Sequence, residues 1–414
     1  MLSVDDALAE IVRETLSFPP ESIALSDAYG LTLALPIVSD IDSPPFDKAL
    51  MDGFAVRAED VTDGKAELLV VEEIMAGQVP TQTVERGQAI QIMTGAPMPE
   101  GADAVVRVED STYDPDTRIV QLATSTVQSG KNLITRATNM RAGDEIFQAG
   151  RLLRPQELAC LAELGCAQVP VRRRPRVAVL ATGDELVPVG ETPAAGQIRN
   201  SNETMLLAQI RRAGGEPIPL GIARDDRDDL RAKIETGLEA DVLLLSGGVS
   251  AGKLDLVPAV LEEAGVRQVF HKVRVKPGKP LWFGVRSESA TPAANGEISG
   301  CYVFGLPGNP VSSMVCCELF VRTALRRLMG SAPAEPRVIH ARLIEEHQSQ
   351  SDRPIYYPAK LETQSDSLTV RLVNWHGSSD LRATVEANGM AVIPAGEHVF
   401  EQGSTIEVIR WDED

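Results

Sequence analysis

The chain has 414 residues, of which 43% are hydrophobic and 24% charged, and it carries a formal net charge of −19 at pH 7. This length exceeds what one ordinary hydrophobic core supports, so several domains are expected. The acidic balance argues against binding to nucleic acid or to an anionic membrane surface, and no apolar stretch is long enough to span a bilayer. The N-terminus has no signal-peptide pattern, and the five cysteines show no metal-ligand spacing, which favours a cytoplasmic protein.

The first part of the chain predicts a helix, a β domain and a second helix. Residues 3–16 have helical periodicity, with Ser3 as a cap and Asp6 three residues later. Short alternating runs broken by Gly and Pro follow and predict a compact β domain. Its predicted strands are 67–74, 88–93, 103–108 and 118–122. A second helix is expected over 155–164, with Pro155 at its start and Gly165 just beyond its end.

The second part predicts an α/β domain and a β-rich tail. The basic run 172–176 is interpreted as a solvated linker between domains rather than a nucleic-acid site, given the acidity of the whole chain. Strands and helices then alternate from 176 to 330, which is typical of a doubly wound sheet. The predicted helices are 203–213, 226–239, 254–264 and 311–329, and the predicted tail strands are 338–343, 368–373, 390–393 and 405–409. The tail pattern favours a small β barrel or sandwich.

Three segments of the α/β part have an apolar run followed by a turn. They are Val177-Ala178-Val179-Leu180-Ala181-Thr182-Gly183-Asp184-Glu185, Val242-Leu243-Leu244-Leu245-Ser246-Gly247-Gly248-Val249-Ser250 and Val303-Phe304-Gly305-Leu306-Pro307-Gly308-Asn309-Pro310-Val311-Ser312-Ser313. In the last of them Pro310 suits the first helical position, so the turn should present free backbone N–H groups and a positive helix end to an anion. Together the three turns predict a ligand-binding crevice at the carboxyl edge of a parallel sheet.

Two further motifs carry groups suited to phosphorylated ligands. The glycine-rich turn that starts at Gly247 and reaches Lys253 resembles a phosphate loop, but Leu254 stands where a Mg²⁺-binding hydroxyl is needed. This disfavours an ATP-hydrolysing loop and leaves a phosphate cradle open. Lys276 and Lys279 flank a stiff Pro-Gly turn, where two fixed cations suit an oxyanion. Two exposed turn lysines are an equally good reading of that segment alone.

Carboxylates follow the same predicted strands. They are Asp184, Glu185, Asp225, Asp226 and Asp255. Each alone would only complement a helix dipole, whereas several beside lysines would bind Mg²⁺ on a phosphorylated ligand.

Six motifs in register resemble the molybdopterin molybdenumtransferases, the MoeA family that includes the C-terminal domain of gephyrin. They are Met51-Asp52-Gly53-Phe54-Ala55-Val56, Met93-Thr94-Gly95-Ala96-Pro97, Thr182-Gly183-Asp184-Glu185-Leu186, Ser246-Gly247-Gly248-Val249-Ser250, Lys276-Pro277-Gly278-Lys279-Pro280 and Leu306-Pro307-Gly308-Asn309-Pro310-Val311-Ser312. The resemblance covers most of the chain.

The resemblance implies a multidomain α/β plus β fold in an elongated homodimer. Its expected parts are an N-terminal and linker part (1–45 and 140–172), a β-rich domain (46–139), a central doubly wound molybdopterin-binding α/β domain (173–330) and a C-terminal small β barrel (331–414). In the dimer, the β-rich domain would lean over the crevice of the partner's α/β domain.

The function implied is that of a transferase that inserts molybdate into adenylylated molybdopterin, releases AMP and uses Mg²⁺. The implied catalytic residues are Asp52, Glu185, Lys276 and Lys279, and the implied metal ligands are Asp226 and Asp255. The implied substrate-binding residues are Thr94, Asp184, Ser246, Gly247, Gly248, Ser250, Pro307, Gly308, Asn309, Pro310, Ser312, Arg353 and Ser378. A molybdopterin adenylyltransferase is a further implied partner, and no residue decides between molybdate and tungstate.

The chain departs from the family pattern at three positions. Asn139 stands where many members have an acidic residue, and Lys253 and Leu256 replace an acidic residue and an aromatic one. A catalytically reduced paralogue, acting as a pterin-nucleotide-binding or scaffold protein on the same fold, therefore stays open. The other alternative is an enzyme that uses only the α/β module, such as a molybdopterin adenylyltransferase or a pyridine-nucleotide amidohydrolase. The Asp52 and Thr94 segments argue against it.

Overall fold

The computed structural model describes residues 1–124, 126–249, 256–287, 300–364 and 367–411. The chain divides into two compact units. The β-rich unit comprises 36–148 and 160–166, and the α/β–barrel unit comprises 1–35, 149–159 and 167–414. Among the described helices, none combines the length and apolar character needed to cross a bilayer.

The β-rich unit is built on one twisted sheet. Within the described residues its six strands are Gly53–Val56, Lys65–Ile74, Gln88–Ile92, Ala104–Arg107, Ser111–Asp114 and Ile119–Ala123. Two short pairs join Ile37–Val38 to Glu145–Phe147 and Lys48–Ala49 to Leu133–Ile134. All four strands predicted from the alternating pattern are confirmed. The strand Gly53–Val56 is buried along its length, which fixes the position of the residue before it, Asp52.

The centre of the α/β–barrel unit is a second sheet. Counted over the described residues, its six strands are β1 (Arg176–Thr182), β2 (Glu216–Ala223), β3 (Val242–Ser246), β4 (Arg267–His271), β5 (Trp282–Ser287) and β6 (Gly300–Leu306), in the order β2-β1-β3-β6-β5-β4. The first four in that order run parallel, whereas β5 and β4 add an antiparallel edge. The predicted α/β sheet is thus confirmed, with two extra strands. The carboxyl ends of β1, β3 and β6 meet at one edge of it.

Helices cover both faces of this sheet and flank it. Within the described residues these helices are Val4–Glu14, Ser201–Arg212, Arg227–Gly237, Val257–Glu263, Pro310–Cys316 and Arg322–Leu328. A further helix, Pro155–Glu163, has residues in both compact units. The predicted capping box of Ser3 and Asp6 is present, and Pro310 is the first residue of its helix, as predicted. The last two helices are joined by a π-helical turn, Cys317–Val321, which the regular pattern over 311–329 did not reveal.

The basic run 172–176 is not a solvated linker. Arg172 donates from Nε to the Phe18 carbonyl (2.9 Å), and Arg173 pairs with both carboxylate oxygens of Asp241 at 2.7 Å. The Arg173 guanidinium also stacks 3.8 Å from the centre of the Phe18 ring. That expectation was wrong because it considered only the charge of the run, whereas Phe18 and Asp241 supply partners from other parts of the chain.

The tail forms the predicted small β barrel. Over the described residues it closes with five strands, Val338–Leu343, Ile355–Gln364, Ser367–Leu372, Gly389–Ile393 and Thr405–Arg410. Further short pairings in this unit involve Glu21–Ala24, Thr32–Leu33, Gln168–Arg172, Leu186–Val187, Ile198–Arg199, His347–Ser351 and Gly396–Phe400. The barrel is hydrogen-bonded to the loop after β4: the Lys276 N–H donates to the Pro354 carbonyl (3.0 Å), and the Tyr356 N–H donates to the Lys276 carbonyl (2.8 Å).

Candidate functional site

A cavity of about 760 Å³ opens at the carboxyl edge of the sheet, within the size range of small-molecule sites. Turns after β1, β3 and β6 form its walls. The lining residues that the sequence analysis gives as candidate carboxylate, catalytic or substrate-binding residues are Glu185, Asp225, Ser246, Gly247, Gly248, Pro307, Gly308, Asn309 and Pro310. The three strand-to-turn segments therefore do converge on one crevice.

The turn after β3 needs glycine at two successive positions. Gly247 and Gly248 have φ of +97° and +63°, a region that side-chain-bearing residues rarely adopt. A Cβ added at Gly247 would lie 2.7 Å from the Thr182 carbonyl oxygen, and one at Gly248 would lie 2.8 Å from Thr182 Oγ1 and 2.7 Å from Val257 Cγ2. The backbone of this turn therefore packs directly on the end of β1 and leaves no room for a side chain at either position.

Thr182 was not singled out from the sequence. It is 4% exposed and lines the cavity, and its Oγ1 has no hydrogen-bond partner among the described residues. An unpaired buried hydroxyl is costly unless a ligand pairs with it.

Asn202 was also missed, although it joins two of the turns. Its Nδ2 donates to Ser246 Oγ and to the Gly308 carbonyl, both at 2.8 Å. It belongs to a stretch, Ile198 to Asn202, that lines one side of the cavity. The sequence signal there was an ordinary helix cap: Asn200 caps the helix Ser201–Arg212, and such a signal does not distinguish a capping residue from a cavity wall.

The helix that starts at Pro310 presents fewer free N–H groups than the sequence suggested. The Val311 N–H donates to the Ser378 carbonyl (3.0 Å), whereas the Ser313 N–H makes the ordinary intrahelical bond to the carbonyl of the N-cap, Asn309 (3.0 Å). Asn309 Nδ2 also donates to Ser378 Oγ (2.9 Å). The expected free N–H groups therefore do not include that of Val311, because a barrel loop supplies an acceptor that local sequence cannot show. Ser312 is buried beside it.

The acidic residues near β1 and β2 divide into two groups. Glu185 and Asp225 line the cavity, and the Asp225 N–H donates to Asp184 Oδ1 at 3.2 Å. Asp226 caps the helix Arg227–Gly237, accepting at Oδ1 from the N–H groups of the next two acidic residues at 3.1 and 3.0 Å. The other residue predicted to bind metal, Asp255, lies outside the described residues, as does Ser250.

The lysine loop lies beside this cavity. Pro280 is part of the cavity lining, and Lys276 and Lys279 are both exposed. From the barrel, Arg353 Nη1 donates to the Val275 carbonyl (3.4 Å). The pKa of Asp352 is lowered, mainly by the hydrogen bond from Arg353 and with a smaller contribution from Lys279. The loop and the barrel therefore bring these cationic groups close together.

Asp52 and Thr94 form a local pair in the β-rich unit. Asp52 Oδ1 accepts from the Thr94 N–H and from Thr94 Oγ1, both at 2.7 Å, and these bonds lower the pKa of Asp52, the backbone one most strongly. Both residues, and Asn139, are exposed. Asp52 is thus held ionised and oriented at the surface of this unit.

The chain matches the families described as "MoeA N-terminal region (domain I and II)" over residues 2–165, "Probable molybdopterin binding domain" over 178–327 and "MoeA C-terminal region (domain IV)" over 340–411. The fold and the crevice thus define a multidomain protein built around a molybdopterin-binding α/β domain.

Full-length relatives give the family. The chain is 33% identical over 421 residues to the molybdopterin molybdenumtransferase of Staphylococcus aureus strain COL, covering 100% of this chain and 96% of that protein. The Staphylococcus epidermidis enzyme of the same name is 32% identical over 416 residues, covering 99% and 95%. The crystal structure of the molybdopterin biosynthesis moeA protein from Pyrococcus horikoshii OT3 superposes with a TM-score of 0.81 at 28% identity, covering 99% of this chain and 100% of that one. The chain belongs to the molybdopterin molybdenumtransferase (MoeA) family, the transferases of molybdenum cofactor biosynthesis.

Proposed function

We propose that this chain inserts molybdate into adenylylated molybdopterin and releases AMP. The observation that carries this proposal is that a glycine turn and a lysine loop meet at one cavity. Gly247 and Gly248 form a turn at positive φ in the cavity wall, which we assign to a phosphoryl group, and Pro280 of the same wall adjoins the loop of Lys276 and Lys279, which we assign to an oxyanion. A reaction between a phosphorylated pterin and an oxyanion needs both elements side by side.

The substrate would be shared among the turns as follows. The pterin phosphate and the nucleotide would lie on Ser246, Gly247 and Gly248, with Ser250 contributing from outside the described residues, and on the turn Pro307 to Ser312. Thr94 and Asp184 would complete the binding of this substrate. Cleavage of the phosphoanhydride by water would give AMP and a pterin phosphomonoester. Glu185 and Asp52 would orient the water or the ligand during the transfer.

Molybdate is the second substrate. Lys276 and Lys279 would hold it, with Arg353 and Ser378 contributing from the barrel. Because molybdate and the pterin phosphate are both anions, the fixed cations would offset the repulsion between them.

The carboxylates of the cavity suit a Mg²⁺ ion bound mainly by phosphate oxygens. The described residues contain no cluster of three or more His, Cys, Asp or Glu side chains that could hold a metal, and Mg²⁺ on a nucleotide needs only one or two carboxylates. We assign Asp226 and Asp255 to it, with Asp225 as the carboxylate on the cavity wall. When bound, the ion would neutralise charge on the phosphoanhydride.

The test is AMP release from adenylylated molybdopterin by the purified full chain with Mg²⁺, with and without molybdate. We expect molybdate-dependent release, and a parallel series with tungstate measures the metal preference. Tight binding without release would overturn the insertase function and favour the catalytically reduced alternative, for which Asn139→Asp is the repair variant.

Lys279→Ala tests the placement of molybdate. We expect at least a tenfold rise in the molybdate concentration needed for half-maximal AMP release, because a fixed cation is removed, while pterin-nucleotide binding stays intact. Lys360→Ala, a lysine on the barrel strand Ile355–Gln364 and outside the lysine loop, is the matched control and should behave as wild type. If Lys279→Ala weakened pterin-nucleotide binding as much as it weakened molybdate-dependent AMP release, the assignment of Lys279 to molybdate would be contradicted.

A homodimer is the second part of the proposal, with Asp52 and Thr94 acting at the pocket of a second copy. At limiting molybdate, Asp52→Ala and Lys279→Ala chains should each release AMP slowly, whereas a mixture allowed to exchange subunits should regain activity, because a mixed dimer contains one intact combination. No recovery on exchange, with mixed dimers verified by mass, would contradict this arrangement.

A further inference from the structure

One cationic side chain of the cavity has no role in the function proposed above. Among the lining residues that the structure describes, Arg199 is the one with a positive charge, whereas Glu185 and Asp225 are negative. The lysine loop contributes Pro280 to the described lining and neither of its two lysines. A phosphoryl group in this cavity therefore faces more negative than positive side chains, and Arg199 is the group that can offset its charge.

We propose that Arg199 binds the phosphate of the nucleotide in this cavity, both in the adenylylated pterin and in the product AMP. The identity of the nucleotide rests on the function proposed above. An arginine suits this position because its planar guanidinium offers two parallel N–H groups to phosphate oxygens. The two anionic substrates then bind to separate cations, the nucleotide to Arg199 and molybdate to the lysine loop.

The backbone on both sides of Arg199 is fixed by hydrogen bonds. Arg199 ends a two-residue strand that runs parallel to Leu186–Val187, directly after the turn that follows β1. The Ile198 N–H donates to the Glu185 carbonyl (2.8 Å). The Asn200 N–H donates to the carbonyl of the second residue of the paired strand (2.9 Å). The Arg199 side chain therefore starts from a fixed point in the cavity wall.

The guanidinium of Arg199 is oriented by one contact that leaves its other donors available. Its Nε donates to the Glu191 carbonyl at 3.0 Å, and the two terminal nitrogens have no partner among the described residues. Because Nε is already engaged, the terminal pair is the edge that can form two parallel bonds to a phosphate. A side chain held in this way loses less conformational entropy when the ligand binds.

Thr182 is an independent indication that the cavity binds a ligand with acceptor oxygens. It is 4% exposed and lines the same cavity, and its Oγ1 has no hydrogen-bond partner within the described part of the chain. A phosphorylated ligand supplies acceptors both for this hydroxyl and for the terminal nitrogens of Arg199.

The experiment is calorimetric titration of the full-length protein with AMP in the absence of divalent cations, with adenosine titrated in parallel. In Arg199→Gln the dissociation constant for AMP should rise by at least tenfold, because charge-assisted hydrogen bonds to the phosphate are lost. Arg199→Lys should give an intermediate value, because lysine keeps the charge and loses the paired geometry. Adenosine lacks the phosphate and should behave alike with wild type and both variants.

Arg211→Gln is the matched control. Arg211 is an exposed arginine on the helix Ser201–Arg212, and this variant should bind AMP as wild type does. Unfolding temperatures without ligand verify that all variants fold. An unchanged dissociation constant for AMP in folded Arg199→Gln would overturn the proposal. So would an equal loss of adenosine binding, an equal loss in Arg211→Gln, or the absence of AMP binding to wild type.

Molybdate-dependent AMP release separates this inference from the proposed function. If wild type releases AMP and Arg199→Gln binds AMP normally, the insertase function stands and the role of Arg199 is refuted. If AMP binding depends on Arg199 and wild type releases no AMP from adenylylated molybdopterin, the nucleotide-phosphate site stands and the insertase function is refuted.

Discussion

Gly278 gives the sharpest test of how the lysine loop is built. It is buried at φ +119° between Lys276 and Lys279, and a Cβ added there would lie 2.5 Å from Cys316 Sγ. Two costs follow for Gly278→Ala: backbone strain at positive φ and overpacking against a fully buried sulfur. Together they should lower the free energy of unfolding by about 3 kcal/mol.

Measuring Gly278→Ala in a Cys316→Ala variant as well as in wild type separates the backbone strain from the steric overlap. In Cys316→Ala the sulfur is gone, so Gly278→Ala should cost only the backbone part, about 1 kcal/mol, which leaves a coupling energy of about 2 kcal/mol. The assay is urea unfolding followed by tryptophan fluorescence, because all three tryptophans lie in the α/β–barrel unit. An equal cost in both backgrounds would refute the steric reasoning. Molybdate-dependent AMP release, measured on the folded variants, should likewise fall more when Gly278→Ala is made in wild type than when it is made in Cys316→Ala.

Three further changes probe other parts of the same unit. The pKa of Glu157 is lowered from 4.5 to about 2, mainly by hydrogen bonds from Arg154, so its contribution to stability is present above pH 4.5 and is lost as the pH falls towards 2. Glu157→Gln should therefore lower the free energy of unfolding, measured in urea, by roughly 2 kcal/mol at pH 7 and by little near pH 2. Thr182→Val should leave the free energy of unfolding unchanged or raise it by about 1 kcal/mol, yet weaken pterin-nucleotide binding in calorimetry; destabilisation would contradict an unpaired hydroxyl. Asn202→Ala should lose about 2 kcal/mol, since two hydrogen bonds between turns disappear, and thermal unfolding measures it.

Much of the fold follows from local sequence. The capping pair of Ser3 and Asp6, the Pro310 helix start and the alternating strands of the barrel depend on neighbours within a few residues. The antiparallel strands β4 and β5 could not be predicted with the same rules, because their place at the sheet edge is set by the pairing of β5 with β6 and of β4 with β5. The role of Arg173 depends on Asp241, 68 residues away, and composition alone cannot supply that partner.

The candidate site shows the same division. The glycine turn at Gly247 was visible because glycine at positive φ leaves a signature in sequence. Asn202 was not, since its acceptors lie 44 and 106 residues away and its local context is that of a helix start. The N–H groups at the start of the helix at Pro310 were expected to be free, whereas the Val311 N–H donates to the Ser378 carbonyl of a barrel loop. Sequence motifs thus locate the turns, whereas the groups that form hydrogen bonds to those turns come from distant segments of the chain.

The two backbone hydrogen bonds at Lys276 bear on how such a protein can change during evolution. These bonds hold the conformation of the lysine loop through the Pro354 carbonyl and the Tyr356 N–H. Both groups belong to a part of the barrel that lies about 80 residues later in the chain. A shortened descendant that kept only the α/β domain would retain the glycine turns and lose the support of its lysines. An α/β domain that evolves without the barrel should therefore keep phosphate binding. Oxyanion binding at the lysine loop should be kept only where the barrel is kept as well.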